Sequence, residues 1–153
     1  MFVRKTFTVT QADYEMQAEV TIINEDAVVI LTGGDVPHVG TVTATLKEAL
    51  QVKLPELAEE RREADQESVD FGTLRFPSHS GRFHKDDVLA EAFLAALEPE
   101  LLKNVVVVAG VHVDGITKDQ IAASYKMAAT LGEQAGSWLT KAQPDTRVPR
   151  YYE

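Results

Sequence analysis

Apolar and polar residues alternate through most of the first 45 positions, and a period of two fits extended strands with one buried face, not helices. Over residues 2–10, Val3, Phe7 and Val9 fall on one side; over 14–24, Ala18, Val20 and Ile22 do the same. Gln11-Ala12-Asp13 and Asn24-Glu25-Asp26 supply the turns. Residues 27–31 are apolar on both sides, which predicts a central strand covered above and below. The pattern breaks at Gly33-Gly34-Asp35 and resumes over 38–46, where Val39, Thr41, Thr43 and Thr45 share a face. A further strand is predicted over 68–76. The charged stretch 47–67, interrupted by Pro55, reads as a loop or a solvated helix and carries no assigned chemistry.

The period then changes. Leu89, Phe93 and Leu97 recur every four residues and predict a helix over 85–98. Residues 104–113 return to a strand apolar on both faces. Thr117 and Gln120 form a capping box, with Ile116 and Ile121 placed as a hydrophobic staple. The helix they start is expected to reach about Trp138, loosened by Gly132 and Gly136. Strands first and helices later predict an α+β fold: a mainly antiparallel sheet with two helices packed on one side. Residues 1–140 make one domain and 141–153 an extended C-terminal arm. The two strands apolar on both faces call for cover on the second face, from a sandwich or a dimer.

A chain of 153 residues suits a single domain. Its net charge of -9 opposes nucleic acid and anionic lipid as partners. There are no cysteines, so disulfides, thiolate metal sites and cysteine nucleophiles are excluded. No continuous apolar signal core opens the chain and no apolar run approaches bilayer length; the expected location is the cytoplasm.

Three punctuated segments concentrate the residues able to do chemistry. In Thr32-Gly33-Gly34-Asp35-Val36-Pro37-His38-Val39-Gly40, paired glycines permit close backbone approach, Pro37 stiffens the exit, and Gly40 leaves room beside His38. An ordinary glycine turn explains the same residues. In Phe76-Pro77-Ser78-His79-Ser80-Gly81-Arg82-Phe83-His84-Lys85-Asp86-Asp87, hydroxyls, imidazoles and cations crowd before a helix N-terminus, a place receptive to phosphate. Asp86 and Asp87 oppose that reading, since acids in a first turn already use the favourable position. In Gly110-Val111-His112-Val113-Asp114-Gly115, Gly110, His112 and Asp114 share a side, so a carboxylate could orient an imidazole. A strand end turning into a capped helix accounts for it equally well.

Several familiar sites are missing. The four histidines lack the helical spacing of a zincin, and no metal is assigned. Ser78 and Ser80 beside His79 lie outside any G-x-S-x-G elbow. There is neither a G-x-G-x-x-G nor a P-loop.

In order, the 32–40 segment, the 81–87 approach to the first helix and the 105–116 strand end resemble the LpdD-like prenylated-flavin chaperones, the D-subunit type associated with gallate decarboxylases. The resemblance spans most of the chain apart from 47–67 and the C-terminal arm. It implies a homodimer, similar in fold to proteasome-assembly chaperones, that binds reduced prenylated FMN as cargo. It also implies a non-catalytic role in loading a UbiD-type decarboxylase. On that basis Arg82 and Lys85 are expected at the phosphate, with Ser78, Gly81 and His84 in the same loop. His38, His79 or His112 would meet the ring system, and Gly33, Gly34, Pro37, Gly40, Gly110 and Asp114 would shape its surroundings. Two other readings of the residues stay open: an assembly chaperone that binds a decarboxylase without a small molecule, and a small metal-dependent enzyme using the histidines.

Overall fold

Two tight hairpins launch the sheet. Strands β1 (Phe2–Gln11) and β2 (Tyr14–Ile23) pair from Phe2↔Ile23 to Gln11↔Tyr14, so only Ala12 and Asp13 form the turn. Both have positive φ, 50° and 63°, the twist that suits two-residue hairpins. Asn24, at φ 57°, turns β2 into β3 (Asp26–Gly34), and Asn tolerates this left-handed backbone better than most residues. The computed structural model describes residues 2–45, 71–98, 102–142 and 144–152. The predicted reading of 47–67 lies outside the described residues.

Strands β4 (Thr41–Thr45), β5 (Phe71–Arg75) and β6 (Val105–His112) complete a six-stranded sheet ordered β1-β2-β3-β6-β4-β5. All pairs are antiparallel except β3 with β6. Helices α1 (Asp87–Leu97) and α2 (Lys118–Ala142) pack on one side. The predicted α+β architecture is the observed one. No helix among the described residues is long and apolar enough to cross a membrane.

Alternation decides what the helices cover. Ala18, Val20 and Ile22 of β2, Val29 and Leu31 of β3, and Val105, Val107 and Ala109 of β6 are buried against Phe93, Leu94, Leu97, Met127 and Leu131. Fully burying each large side chain contributes about 1.5–3 kcal/mol. Gly132 and Gly136, expected to loosen α2, instead form its seam with α1. A Cβ on Gly132 would lie 2.2 Å from the Phe93 carbonyl oxygen, and one on Gly136 would lie 3.0 Å from that of Leu97. With that contact available, α2 continues past Trp138 to Ala142, so any extended arm starts later than residue 141. Trp138 meets Phe7 edge-on, with ring centroids 5.9 Å apart.

The opposite face is polar on β1 and β2, with Arg4, Thr6, Glu19 and Thr21, and carries an apolar stripe on the other strands. Val28, Val42, Val106 and Val108 are only half-buried there, while Ile30 and Leu74 are 41% and 65% exposed. The two strands predicted to need cover on both sides thus receive it from the helices on one side alone, among the described residues.

Candidate functional site

The segment between β5 and α1 is a small hairpin of its own. Pro77 bridges Phe83, the Ser78 N–H donates to the Arg82 carbonyl at 2.8 Å, and the His84 N–H donates to that of Phe76 at 3.1 Å. Ser80 and Gly81, at φ 54° and 71°, make its tip. The Phe76 N–H donates to Gly40 at 2.9 Å, which ties the hairpin to the start of β4. Ser-Gly between short extended runs is a hairpin signal, and it accounts for the order of a segment that reads as a polar loop.

This hairpin, the first turns of both helices and the end of β6 border an open cleft of about 860 Å³, within the range of small-molecule sites. Its lining mixes polar side chains, among them Ser78, His79, Arg82 and Lys85, with apolar ones, among them Phe83, Val88, Ile116, Ile121 and Tyr125. The staple residues Ile116 and Ile121 therefore face the cavity as well as flanking the capping box. That box is fully formed: the Thr117 N–H donates to Gln120 Oε1 at 3.0 Å, and the Gln120 N–H donates to Thr117 Oγ1 at 3.1 Å. Ser124, which also lines the cavity, shares a buried hydrogen bond with Tyr14, and burial raises the Tyr14 phenol above its ordinary pKa.

Both acids at the start of α1 have other employment than the helix N-terminus. Asp87 takes a two-pronged hydrogen bond from Arg75, at 3.2 and 2.8 Å, and this bond holds the guanidinium further into its protonated range. Asp86 occupies the N-cap position without capping the helix through its side chain. Its Oδ1 accepts the Val111 N–H at 2.9 Å. Its Oδ2 stands 3.6 Å from both His38 Nε2 and His84 Nδ1. The two imidazole nitrogens are 3.2 Å apart, and His38 is held from behind by a 2.9 Å contact between Nδ1 and the Val36 carbonyl.

Of the residues singled out in the sequence, Ser78, His79, Arg82, His84 and Lys85 line the cavity, and His38 joins it through His84. Gly110, His112 and Asp114 of the strand end do not. Val111 lines the cavity, and strand alternation turns Gly110 and His112 to the other side. His112 pairs instead with Asp114 at 2.9 Å, both largely exposed, and the Asp114 N–H donates to Asp35 at 2.8 Å. The glycines serve packing between protein segments. A Cβ on Gly33 would lie 2.6 Å from the Glu15 carbonyl oxygen, one on Gly34 2.1 Å from that of His112, and one on Gly110 1.6 Å from that of His38. The space beside Gly40 is taken by Asp86 and the two imidazoles. Pro37 is exposed at the edge, and Gly81 forms the hairpin tip. The sequence reading missed Asp86 as a site residue; its position in a first turn suggested a helix-terminal role.

Chemically, the lining offers cationic and hydroxyl donors for an anion and aromatic and aliphatic side chains for an apolar body. Residues 10–140 match the family described as prenylated flavin chaperone LpdD-like domain. Protein LpdD of Lactiplantibacillus plantarum is 37% identical over 147 residues, covering 96% of this chain and 93% of that protein. Among solved structures, a chain from a chaperone complex for yeast 20S proteasome assembly aligns with a TM-score of 0.40 and 12% identity, over 86% of this chain and 98% of its own.

Proposed function

Since this chain belongs to the LpdD-like prenylated flavin chaperone family, we propose that it carries reduced prenylated FMN and delivers it to a UbiD-type decarboxylase, without turnover of its own. The observation that carries the reading is the cavity's mixed lining. Arg82, Lys85 and His79 supply donors of the kind a phosphate needs for charge-assisted hydrogen bonds. Phe83, Ile116, Ile121 and Tyr125 supply the apolar contact that a prenylated ring system needs. The open rim suits a carrier, because cargo must also leave; affinity is set mainly by the dissociation rate.

The working unit in this reading is a cytoplasmic homodimer. A second copy would cover the half-buried Val28, Val106 and Val108 and the exposed Ile30 and Leu74, an apolar stripe of the kind that marks interaction surfaces.

The test is an anaerobic titration of the purified protein with reduced prenylated FMN, reduced FMN and oxidised FMN. Reduced prenylated FMN should bind with a Kd of tens of micromolar or tighter. Arg82→Ala should weaken it by roughly tenfold or more, the usual worth of a hydrogen bond to a charged group. Failure of all three ligands to bind would remove the flavin from the proposal. Binding of the decarboxylase without any flavin signal would then favour a protein-assembly role.

A further inference from the structure

The flavin reading leaves the cluster of His38, His84 and Asp86 without a task. We propose that His38 Nε2, His84 Nδ1 and Asp86 Oδ2 bind one divalent transition-metal ion of the zinc type. The inference stands apart from the flavin, because it rests on protein donor atoms alone.

Separation of the donors is the first argument. They lie 3.2, 3.6 and 3.6 Å from one another. Metal–ligand bonds of about 2.0–2.2 Å at tetrahedral angles place donor atoms about 3.3–3.6 Å apart. The carboxylate-to-imidazole distances are too long for hydrogen bonds, so the contact between the two imidazoles is the hydrogen bond among the three donors and leaves Asp86 Oδ2 without one from either ring.

Each of two donors is also held from behind. The contact of His38 Nδ1 with the Val36 carbonyl requires the proton on Nδ1 and leaves the Nε2 lone pair toward the cluster. Asp86 uses Oδ1 on the Val111 N–H, which frees Oδ2. Such outer partners orient metal ligands generally. Asp86 is only 8% exposed, and a buried carboxylate calls for a cation.

Room is the third argument. A Cβ on Gly40 would fall 2.2 Å from Asp86 Oδ2 and 3.1 Å from His38 Nε2, so any other residue would crowd the donors. Two imidazoles and one carboxylate suit zinc and its neighbours. Three protein ligands leave a fourth position for water or an anionic oxygen arriving from the cavity, which His84 and Asp86 line.

The test uses metal-stripped protein and cobalt(II), whose tetrahedral complexes absorb strongly in the visible. One equivalent per chain should give that band, and zinc should displace it. Asp86→Asn keeps an acceptor for Val111, and His84→Ala shortens a partly exposed side chain. Each should weaken cobalt binding by roughly tenfold or more, while His79→Ala leaves it unchanged. Imidazole ¹⁵N resonances of the unmutated protein read the site without any substitution: zinc should move His38 and His84 and leave His79 and His112 in place. Absence of a cobalt band at one equivalent, a band indifferent to both substitutions, or zinc shifts confined to His79 or His112 would each overturn the assignment.

Discussion

Gly110→Ala tests the packing that brings the 35–40 loop to the site. The new Cβ would begin 1.6 Å from the His38 carbonyl oxygen, whereas ordinary contact starts at 3.4 Å, so about 1.8 Å of separation must be found. The obstacle is main chain, and no rotamer change relieves it. Overpacking of this kind costs about 1–3 kcal/mol. The hydrogen bond from the Gly40 N–H to the Ala109 carbonyl, 2.9 Å long, would be strained or lost, adding about 1 kcal/mol. Against this, replacing glycine restricts the unfolded chain and returns about 0.4–1 kcal/mol. The balance is a loss of about 2 kcal/mol, or a fall in Tm of roughly 4–8 °C for a domain of this size. Urea unfolding should show a lower midpoint with an unchanged slope. The imidazole resonances of His38 and His84 should shift more than that of His79. A variant with the parent midpoint and unshifted His38 would refute the close approach of the loop to β6.

The other expectations concern the helices, one phenol and the open sheet face. Gly132→Ala should destabilise the fold by about 1–3 kcal/mol in spite of better helix propensity, because its Cβ meets Phe93 at 2.2 Å. Gly136→Ala, with 3.0 Å to Leu97, should cost less, and chemical denaturation showing the reverse order would contradict the helix seam. Tyr14 has a folded pKa raised above 10.0, chiefly by burial, so its stabilising contribution is complete below pH 10 and lost as pH rises through the folded value. Phenolate absorbance should show one of the four tyrosines titrating late in the native protein; simultaneous titration of all four would count against that burial. Ile30→Glu, at a position already 41% exposed, should halve the mass in light scattering while far-ultraviolet circular dichroism is retained. An unchanged mass would mean that this face does not join two copies.

The sheet was legible because alternation is a local property. Val20 and Ile22, two apart, announce a buried face without knowledge of any neighbour, and Thr117 with Gln120 marks a helix start within four residues. What stayed hidden depends on distance. Asp86 reads as a first-turn acid until Val111, 25 positions later, is seen to donate to it. His38 and His84 meet across 46 positions. Glycines misled for a related reason. An absent side chain shows that space is needed, but not that Phe93 fills it at Gly132 or Asp86 at Gly40. Alternation correctly puts Gly110, His112 and Asp114 on one side, and the resemblance brought that side to the ligand, yet the residue of this segment that lines the cavity is Val111, on the other side.

The pairing of Thr45 with Phe71 means that the chain leaves β4 and re-enters β5 at adjacent points of the ladder. The ladder thus holds those two ends side by side. The turn from Gly34 to Thr41 is likewise fixed at both ends and holds His38 partway, so even one added residue would move an imidazole. Across homologous chains, the length between β3 and β4 should therefore stay constant.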